Sequence, residues 1–591
     1  MQVLKSLKRV LVLATVFSEV VYASALEVIQ AQVPPRKSFD GASCKQTIVK
    51  HVFANSYGAP YVGFYNPPIN CSFTTTIFNL SVTSSGRQYD RLALLFLGDV
   101  EVWRTSTAMP GGYEIFYSYQ KDMTVFDTLL RKEQKLIFDL SNVFSELYTG
   151  AFNVTLEALY YNDMYKSALS PPSSIFPIST KASSQNTSSV MSLPDGNGTV
   201  SIKLPRNIKT ATVSILASGN GQEEFWFTNV PSEYLYTFPE NPGWLFGYSP
   251  FREVQLLIDG KLAGVSWPFP LLFTGGVDPG LWRPIAGIDS YDLQPFDIDI
   301  SPWLPLLCDG QAHNFQIKVV GFDSSINGSI GTVGSNWWVT GAVYVWLDEH
   351  SNVTTGSKIL SKIGHTSFNY RPFVSTVEAN NATKNSSFYF SLAAHRQLTI
   401  SSTIRTSSGL RNATWSQNLS FSNIQNMTDL AFNQSLAMVT TGTNYDSISG
   451  IQTTYKYPLN LYSSYIIAET KATLSSVLAL VDRSLITTGV NILLYLTGTR
   501  TGPESLRTRQ SAISQYSWNA TIVEGMLTDT SSLEQWFSYA GHSGLKAGGV
   551  EQFGRYLKES DDFTTEDNEC WSVIEVPGTI PLPPVDGMPH V

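Results

Sequence analysis

The feature that most constrains this chain is its pattern of short apolar runs. Val, Ile, Thr, Tyr and Phe alternate with polar residues over runs of roughly four to eight residues, and Gly, Pro and Asn separate the runs. Sustained helical periodicity is scarce. The pattern predicts an all-β chain of sandwich or barrel type.

The 591 residues are too many for a single hydrophobic core, so several domains are expected. A Pro/Ser/Thr-rich stretch between the first two β-rich regions reads as a linker. The predicted division is a signal peptide at 1–25, a first β-sandwich unit at 26–170, a linker at 171–194, a second β-sandwich unit at 195–355, a β-rich C-terminal domain at 360–570 and a Pro-rich tail at 571–591.

The N-terminus has the pattern of a secretory signal. Lys5, Lys8 and Arg9 precede or open an apolar run at 10–17, and the small residues before and at Ala25 fit a cleavage site. A run of this length is too short to span a bilayer. We therefore expect cleavage after Ala25 and a secreted, extracellular protein, with the vacuole and the cell wall open as destinations.

The composition suits a glycoprotein. Charged residues make up 15% of the chain, below the roughly 25% of ordinary soluble domains. Asn-x-Ser/Thr glycosylation signals are frequent, and the attached glycans would supply the solubility that charges do not. These signals lie at Asn70, Asn79, Asn153, Asn186, Asn197, Asn327, Asn352, Asn381, Asn385, Asn412, Asn418, Asn426, Asn433 and Asn519.

The charge and the cysteines exclude several classes of partner. The net charge of -9 argues against binding to nucleic acid. The four cysteines are too widely spaced for a zinc motif. In a secreted chain they suggest two disulfides with three possible connectivities, and we favour Cys44–Cys71 and Cys308–Cys570.

Residues 88–110, QYDRLALLFLGDVEVWRTSTAMP, predict a hairpin that carries charges within an apolar pattern. Gly98-Asp99 is typical of a type II′ turn, which would place Leu94 opposite Trp103. On this register Asp90, Glu101 and Trp103 share one face, and Arg91 and Arg104 share the other.

Asp90 and Glu101 fall at opposite ends of this predicted hairpin. Six residues at ~3.3 Å each separate them by ~20 Å, too far for a working carboxylate pair. A catalytic role for Asp90 therefore requires a partner from elsewhere in the chain. The alternative is that Asp90 and Arg91 are a strand-end acid and base with local hydrogen bonds.

A candidate partner occurs at 219–231, GNGQEEFWFTNVP, where Glu223 and Glu224 open an aromatic strand. On a strand, Glu224 would share a face with Trp226, and desolvation beside an indole raises the pKa of a carboxyl. Such a group can act as a general acid at mildly acidic pH. The alternative is an acid pair at a loop end, exposed to water.

Tryptophans in Gly/Pro-rich loops are candidate sugar contacts. Trp282 and Arg283 lie in the loop 274–285, FTGGVDPGLWRP, where we expect them to be accessible. Exposed indole rings stack on the faces of sugar rings. The alternative for each tryptophan is packing in a core.

Five blocks of sequence, in this order along the chain, carry a family resemblance: 44–71, 86–110, 148–161, 223–231 and 250–302. Together they resemble the peptide-N4-(N-acetyl-β-glucosaminyl)asparagine amidase A family. The resemblance implies a secreted hydrolase that acts on the GlcNAc–Asn side-chain amide of N-glycopeptides or denatured N-glycoproteins. Such an enzyme releases the glycan as a glycosylamine, converts Asn to Asp, and uses neither a metal nor an organic cofactor.

A similarity in residue pattern to the bacterial peptide:N-glycosidases implies both the domain architecture of this chain and the roles of its two candidate catalytic acids. It implies tandem jelly-roll-like sandwiches, with Asp90 of Tyr89-Asp90-Arg91 as the water-activating acid and Glu224 as the proton donor or amide-orienting group, an assignment that is open to reversal. For Arg91, Glu101 and Arg104 a structural role is the alternative to contact with substrate. The candidate substrate contacts are Arg91, Glu101, Trp103, Arg104, Glu223, Trp226, Trp282 and Arg283.

Two rival functions stay open from the sequence. One is a non-catalytic N-glycan-binding module of the cell surface, and the other is an endo-type glycosidase that cleaves within the glycan core. No stable membrane span is expected. Processing of the chain into two associated chains stays open as an alternative to a single chain.

Overall fold

A computed structural model provides the structure of this protein. None of the helices that it describes is long and apolar enough to cross a membrane. The predicted signal peptide up to residue 24 and the glycosylation signal at Asn327 lie outside the described residues. The described residues are 25–32, 42–110, 114–162, 171–241, 243–326, 328–379, 381–467, 471–488, 504–519, 526–542 and 549–575.

The first unit is a sandwich of two β-sheets, with a 3₁₀ turn at Thr124–Phe126 and the short helix α1 at Asp127–Leu130. One sheet has the strand order β1-β7-β4-β9-β2 and the other β3-β8-β5-β6, which is the jelly-roll arrangement of eight strands with one added edge strand. The strands are β1 Leu26–Glu27, β2 Cys44–Phe53, β3 Tyr61–Tyr65, β4 Thr75–Ser85, β5 Leu92–Leu97, β6 Val100–Ser106, β7 Ile115–Asp122, β8 Gln134–Leu140 and β9 Ala151–Tyr161.

The second unit repeats this topology. Its sheets have the orders β10-β19-β13-β16 and β12-β17-β14-β15, while β11 also pairs with β19 and β18 with β17. The strands are β10 Ser174–Ile178, β11 Met191–Leu193, β12 Thr199–Lys203, β13 Ile208–Gly219, β14 Arg252–Ile258, β15 Lys261–Ser266, β16 Phe296–Asp299, β17 Ala312–Asp323, β18 Ser329–Gly331 and β19 Trp337–Leu347. The helical elements are 3₁₀ turns at Ser183–Gln185, Gly221–Glu223, Trp226–Thr228, Ser232–Tyr234, Pro279–Trp282, Ser301–Trp303 and Ser324–Ile326, and the helix α2 at Leu304–Leu307.

The expected linker at 171–194 is instead part of the second unit. Its strands β10 and β11 both pair antiparallel with β19. The prediction of two consecutive β-sandwich units is confirmed.

The C-terminal region forms one antiparallel sheet of 12 strands. β20, β21 and β22 all pair with β23, and from β23 onward each strand pairs with the next in sequence. The strands are β20 Thr355–Gly356, β21 Leu360–Ile363, β22 Ser367–Ala379, β23 Ala382–Thr406, β24 Gly409–Thr428, β25 Asn433–Asp446, β26 Ile451–Ile467, β27 Lys471–Thr488, β28 Glu504–Asn519, β29 Met526–His542, β30 Gly549–Ser560 and β31 Phe563–Glu575. The last strand enters the segment that the sequence predicted to be an irregular tail.

One face of this long sheet is buried against the second unit. Along the middle of β24, odd-numbered residues such as Leu419 and Phe421 are buried and their even-numbered neighbours are more exposed. The buried side chains join the same hydrophobic core as Phe251 and Trp267 of the second unit. The alternation of apolar residues with Ser and Thr in the C-terminal sequence therefore reflects a sheet with one buried face and one solvent-exposed face.

The hairpin at 88–110 has the predicted turn but a different register. Leu97 faces Val100, as Gly98-Asp99 predicts, but Leu94 pairs with Arg104 and not with Trp103. A β-bulge beyond Phe96 inserts one extra residue into β6 and shifts every later pair by one position.

One of the two predicted disulfides is present. Cys44 and Cys71 are bonded, with their Cα atoms 6.5 Å apart. The predicted Cys308–Cys570 bond is wrong, because both residues are free thiols. Cys308 follows α2 in the core of the second unit, whereas Cys570 lies on β31, eight strands along the sheet from the strand β23 that α2 contacts.

Candidate functional site

Asp90 lies just before β5, where the first unit meets a loop of the second. The residue is half-buried, and a Cβ atom at Gly275 would come within 2.0 Å of its Oδ1 atom. Burial raises the pKa of Asp90 to about 6, against the opposing effects of its own backbone amide, the Arg91 charge and a hydrogen bond from the Gly275 backbone. A carboxyl in this position exchanges a proton under mildly acidic conditions.

Glu224 lies on a pair of tight turns, not on the predicted strand. Gly219 and Gly221 let the chain fold back after β13: a Cβ at Gly219 would lie 2.0 Å from the carbonyl oxygen of Glu223, and Gly221 has a φ angle of 60°. The Glu224 amide then donates to the Gly221 carbonyl oxygen at 3.1 Å. The turns give Glu223 and Glu224 different directions, so that one is fully buried and the other half-buried.

The structure brings Asp90 and Glu224 together. Burial raises the pKa of Glu224 to about 7, and the negative charge of Asp90 is the second cause of that increase. One carboxyl comes from each jelly roll, so the pair exists only where the two units meet. Two neighbouring carboxyls with different proton affinities are an arrangement suited to acid–base catalysis.

Two glycines cover this acid pair. Gly275 lies against Asp90, and a Cβ at Gly276 would come within 2.9 Å of the Phe225 ring, next to Glu224. Only residues without a side chain let the backbone approach both carboxyl-bearing segments this closely. The sequence carried a signal for this, since the glycine pair stands in FTGGVDPGLWRP, but the sequence-based prediction took only Trp282 and Arg283 from that loop.

Arg91 holds the segment that carries Asp90. Its Nη2 atom donates to Gln88 Oε1 at 2.6 Å and its Nε atom to Asn142 Oδ1 at 3.3 Å. The Arg91 backbone amide also donates to Thr107 Oγ1 at 2.9 Å. These bonds favour the structural alternative for Arg91.

Glu101 and Arg104 form a buried ion pair that links the two jelly rolls. Two parallel bonds of 2.7 Å join the carboxylate to the guanidinium. Thr340 donates to Glu101 at 2.6 Å, and Arg104 donates to the Trp338 carbonyl oxygen at 2.7 Å. The prediction that Glu101 and Arg104 contact substrate is wrong, because their side chains are about 1% and 0% exposed.

Glu223 is also structural. Its two oxygens accept bonds of 2.6 and 2.7 Å from Arg252, and Trp337 Nε1 and the Gly334 amide donate to them as well. The residue is fully buried. Glu223 therefore ties β14 and the start of β19 to the turn that carries Glu224, and its predicted role in substrate binding is wrong.

The tryptophans predicted to hold sugar are core residues. Trp103 donates from Nε1 to the Tyr291 carbonyl oxygen at 2.9 Å, and Trp226 packs 6.4 Å from the ring of Trp337. Trp282, which we expected to be accessible, is fully buried. The same correction applies to Arg283, which is 1% exposed and lies 3.6 Å from Asp562 of the C-terminal sheet.

Two other aromatic residues, one beside Asp90 and one beside Glu223, are exposed. Tyr89, directly before Asp90, is 50% exposed and its ring lies 5.7 Å from that of Tyr148. Tyr248 is 40% exposed and borders Gly334, beside the Glu223 carboxylate. In the described part of the chain, no three His, Cys, Asp or Glu side chains come together as a potential metal site.

The comparisons with known proteins agree with this picture of the N-terminal half. The family model described as peptide N-acetyl-beta-D-glucosaminyl asparaginase amidase A matches residues 31–362, and the model of the PNGase_A C-terminal domain matches residues 389–459. The chain belongs to this amidase A family. The family match includes Asp90, Glu224 and the glycine pair.

One curated relative and two solved structures give the extent of the similarity. The peptide-N4-(N-acetyl-beta-glucosaminyl)asparagine amidase A of Prunus dulcis is 33% identical over 332 residues, which are 53% of this chain and 56% of the relative. The chain thus matches little more than half the length of this family member. Two crystal forms of PNGF-II are 15% and 14% identical, cover 53% and 54% of this chain and 65% of theirs, and have TM-scores of 0.33 and 0.34.

Proposed function

We propose that this protein is an amidase that hydrolyses the bond between GlcNAc and the side-chain nitrogen of Asn in N-glycopeptides and denatured N-glycoproteins. The observation that carries the proposal is the pair Asp90 and Glu224, one from each jelly roll, with raised pKa values, the negative charge of Asp90 acting on Glu224, and Gly275 packed against Asp90. Membership of the amidase A family supports the same reaction class.

We propose the two roles from the directions of the pKa shifts: burial raises the pKa of both carboxyls, and the negative charge of Asp90 raises that of Glu224 further. Between the pKa of Asp90, about 6, and that of Glu224, about 7, Asp90 is mostly ionised while Glu224 keeps its proton. Asp90 then accepts a proton from water, and Glu224 donates one to the amide nitrogen. The Gly275 hydrogen bond to Asp90 supports this order, because it favours the charged form of that carboxyl.

The proposed reaction adds one water molecule across the amide. The water oxygen attacks the side-chain carbonyl carbon of the glycosylated Asn while Asp90 takes its proton. The carbon–nitrogen bond breaks as Glu224 protonates the nitrogen, so the glycan leaves as a glycosylamine. The peptide keeps the carbonyl carbon with a new oxygen, which makes Asp, and proton exchange with solvent restores the two carboxyls.

The same proposal includes secretion and glycosylation of the protein itself. Asn412, Asn418 and Asn426 all lie on the exposed face of β24, where an enzyme of the secretory pathway can reach them. Asn385 differs, because its side-chain amide donates to the Thr237 carbonyl oxygen at 2.7 Å. Glycopeptide mass spectrometry of the secreted protein should find glycans at the three β24 sites and none at Asn385.

The decisive experiment uses a defined N-glycopeptide in heavy-oxygen water at mildly acidic pH. An amidase converts the glycosylated Asn to Asp that carries one heavy oxygen. A glycosidase leaves GlcNAc on an intact Asn, and a binding module leaves the peptide unchanged, so either result refutes the proposal. Asp90→Asn and Glu224→Gln variants that fold normally and keep full activity would refute the site.

A further inference from the structure

The loop between β15 and β16, residues 267–295, contacts all three parts of the molecule. It packs against Asp90 of the acid pair through Gly275 and against Phe225, the neighbour of Glu224, through Gly276, and Thr274 Oγ1 donates to the Thr107 carbonyl oxygen in the first unit at 2.7 Å. From the C-terminal sheet, Gln535 donates to the Ala286 carbonyl oxygen at 2.9 Å. The loop therefore connects the candidate site to a region with no assigned role.

Near the acid pair, two hydrogen bonds to the Gly276 carbonyl hold the backbone of the glycine pair. The Gly276 carbonyl oxygen accepts bonds from the Asp278 amide at 2.7 Å and from Trp282 Nε1 at 2.6 Å. Trp282 is fully buried, so its indole holds the glycine backbone from within the protein. Both bonds are made one residue after Gly275, the residue that packs against Asp90.

The C-terminal sheet contacts Asp278 and the turn that contains Trp282, the two residues that bond the Gly276 carbonyl. Ser514 of β28 donates to Asp278 Oδ1 at 2.9 Å, and the Gly280 amide donates to the same oxygen at 3.0 Å. The 3₁₀ turn Pro279–Trp282 packs against β28 and β29. Asp278 is fully buried, so no water can replace the Ser514 hydroxyl without a rearrangement.

We propose that the C-terminal sheet supports the loop that covers the acid pair, with Ser514, Asp278 and Trp282 as positioning residues. The chain of contacts runs from Ser514 to Asp278, then to the Gly276 carbonyl, and from there to Gly275 over Asp90. The ion pair of Arg483 on β27 with Asp289 anchors the later part of the loop. The expected effect of this support on turnover rests on the proposed amidase function, but the expected effect on the order of the loop does not.

The test uses two conservative variants and a matched control in the full chain. Ser514→Ala removes the hydroxyl that bonds Asp278, and Trp282→Phe removes the N–H bond to Gly276 while keeping an aromatic ring. Ser511→Ala changes a serine on the opposite face of β28 and is the control. The readouts are hydrogen exchange of peptides from the loop, kcat with a glycopeptide, and the pH profile of kcat/KM.

In both variants we expect faster exchange at the glycine pair and a loss of about tenfold in kcat, because a small displacement of a group beside the reacting atoms is costly. The Gly275 bond lowers the pKa of Asp90, so loosening it should move the acidic limb of the pH profile to higher pH. A purely structural role would lower the melting temperature and leave that limb in place.

The outcomes separate this proposal from the proposed function. Unchanged loop exchange in both variants, or equal changes in Ser511→Ala, would overturn the support role. If the wild-type protein does not hydrolyse the glycopeptide, the proposed function fails, and hydrogen exchange alone still decides whether the sheet holds the loop. Faster exchange with unchanged kcat and an unchanged pH profile also overturns a positioning role.

Discussion

Glu101 and Arg104 are three residues apart on one strand and yet form an ion pair with two bonds of 2.7 Å. Residues three apart on a regular strand point to opposite faces. The β-bulge in β6 removes this conflict, because the extra residue returns Arg104 to the face of Glu101. The bulge therefore allows an ion pair that bonds to β19 and is one of the links between the first jelly roll, which carries Asp90, and the second, which carries Glu224.

Substitution of one member of this ion pair should lower the free energy of unfolding more than substitution of both members. Arg104→Met leaves Glu101 as a buried, unpaired carboxylate, and we expect a loss of about 3–5 kcal/mol in the free energy of unfolding. Glu101→Gln combined with Arg104→Met removes both charges and should recover part of that loss. Urea unfolding of the single and double variants measures the difference. A double variant that is less stable than Arg104→Met contradicts this expectation.

The hairpin also shows what its sequence could and could not predict. The turn at Gly98 was predictable because its conformational preference is local. The bulge was not, because it depends on the contacts that Glu101 and Arg104 make with Thr340 and Ser218 of another unit. A shift of one residue then reversed the predicted faces of the return strand.

The predicted exposure of loop residues differs from the structure more than the predicted hairpin register does. Trp282 lies among glycines and prolines, a context typical of exposed loops, and it is buried because the C-terminal sheet covers it. The residues next to Trp282 in sequence do not predict this burial, because the strands that cover its side chain lie more than two hundred positions away in the chain. The sequence around Asp90 and Glu224, in contrast, resembles that of a known family and so predicts both residues, and the structure places Glu224 close enough to Asp90 for the Asp90 charge to raise its pKa.

The two cysteines outside the disulfide should react as thiols. Because Cys308 is 1% exposed and burial raises its pKa to about 11, it should be silent to a thiol reagent in the native protein. Cys570 is half-buried and should react slowly. In urea without reductant both should react, which a thiol titration can count. A titration that finds no thiol in urea would restore the Cys308–Cys570 disulfide.

His313 should make the protein more stable at acidic pH. Burial acts to lower the pKa of His313, but its contacts with Asp259 at 2.7 Å and Asp309 at 3.2 Å outweigh this and raise it. A raised pKa in the folded state gives stability that is fully present below the ordinary value of about 6.5 and is lost as the pH rises through the folded value.

The matching measurement is the melting temperature of His313→Gln at two pH values. The variant should lose stability relative to the wild type at pH ~5 and less at pH ~8.5, since a smaller fraction of His313 is charged at the higher pH. His395→Gln changes an exposed histidine on β23 and is the control. An equal loss at both pH values would show that the contacts with Asp259 and Asp309 do not depend on the charge of His313.

Gly275→Ala should damage catalysis without unfolding the protein. Gly275 has no positive φ angle, so alanine can adopt its backbone conformation, but its Cβ would lie 2.0 Å from Asp90 Oδ1. The loop or the carboxylate must move, and we expect kcat to fall by about a hundredfold. In an Asp90→Asn background the same substitution should cost little more, because the two changes share one cause. Fully additive losses would place the effect of Gly275 elsewhere.

The acid pair should give kcat/KM a bell-shaped pH dependence. The acidic limb reflects ionisation of Asp90, with a pKa of about 6, and the alkaline limb reflects loss of the Glu224 proton, with a pKa of about 7. Activity should therefore rise as the pH passes the first value and fall as it passes the second. Substitution of either carboxyl by its amide should lower activity by roughly 10²–10⁴-fold.

The residual activities of the two variants distinguish the roles. Glu224→Gln should lose the alkaline limb and keep the acidic one. Asp90→Asn should lose the acidic limb, and its alkaline limb should move to lower pH, because the negative charge of Asp90 contributes to the raised pKa of Glu224. If Glu224→Gln instead loses the acidic limb, then Glu224 activates the water and Asp90 donates the proton. If both limbs survive in both variants, the pH dependence arises from other groups and this pair is not the catalytic one.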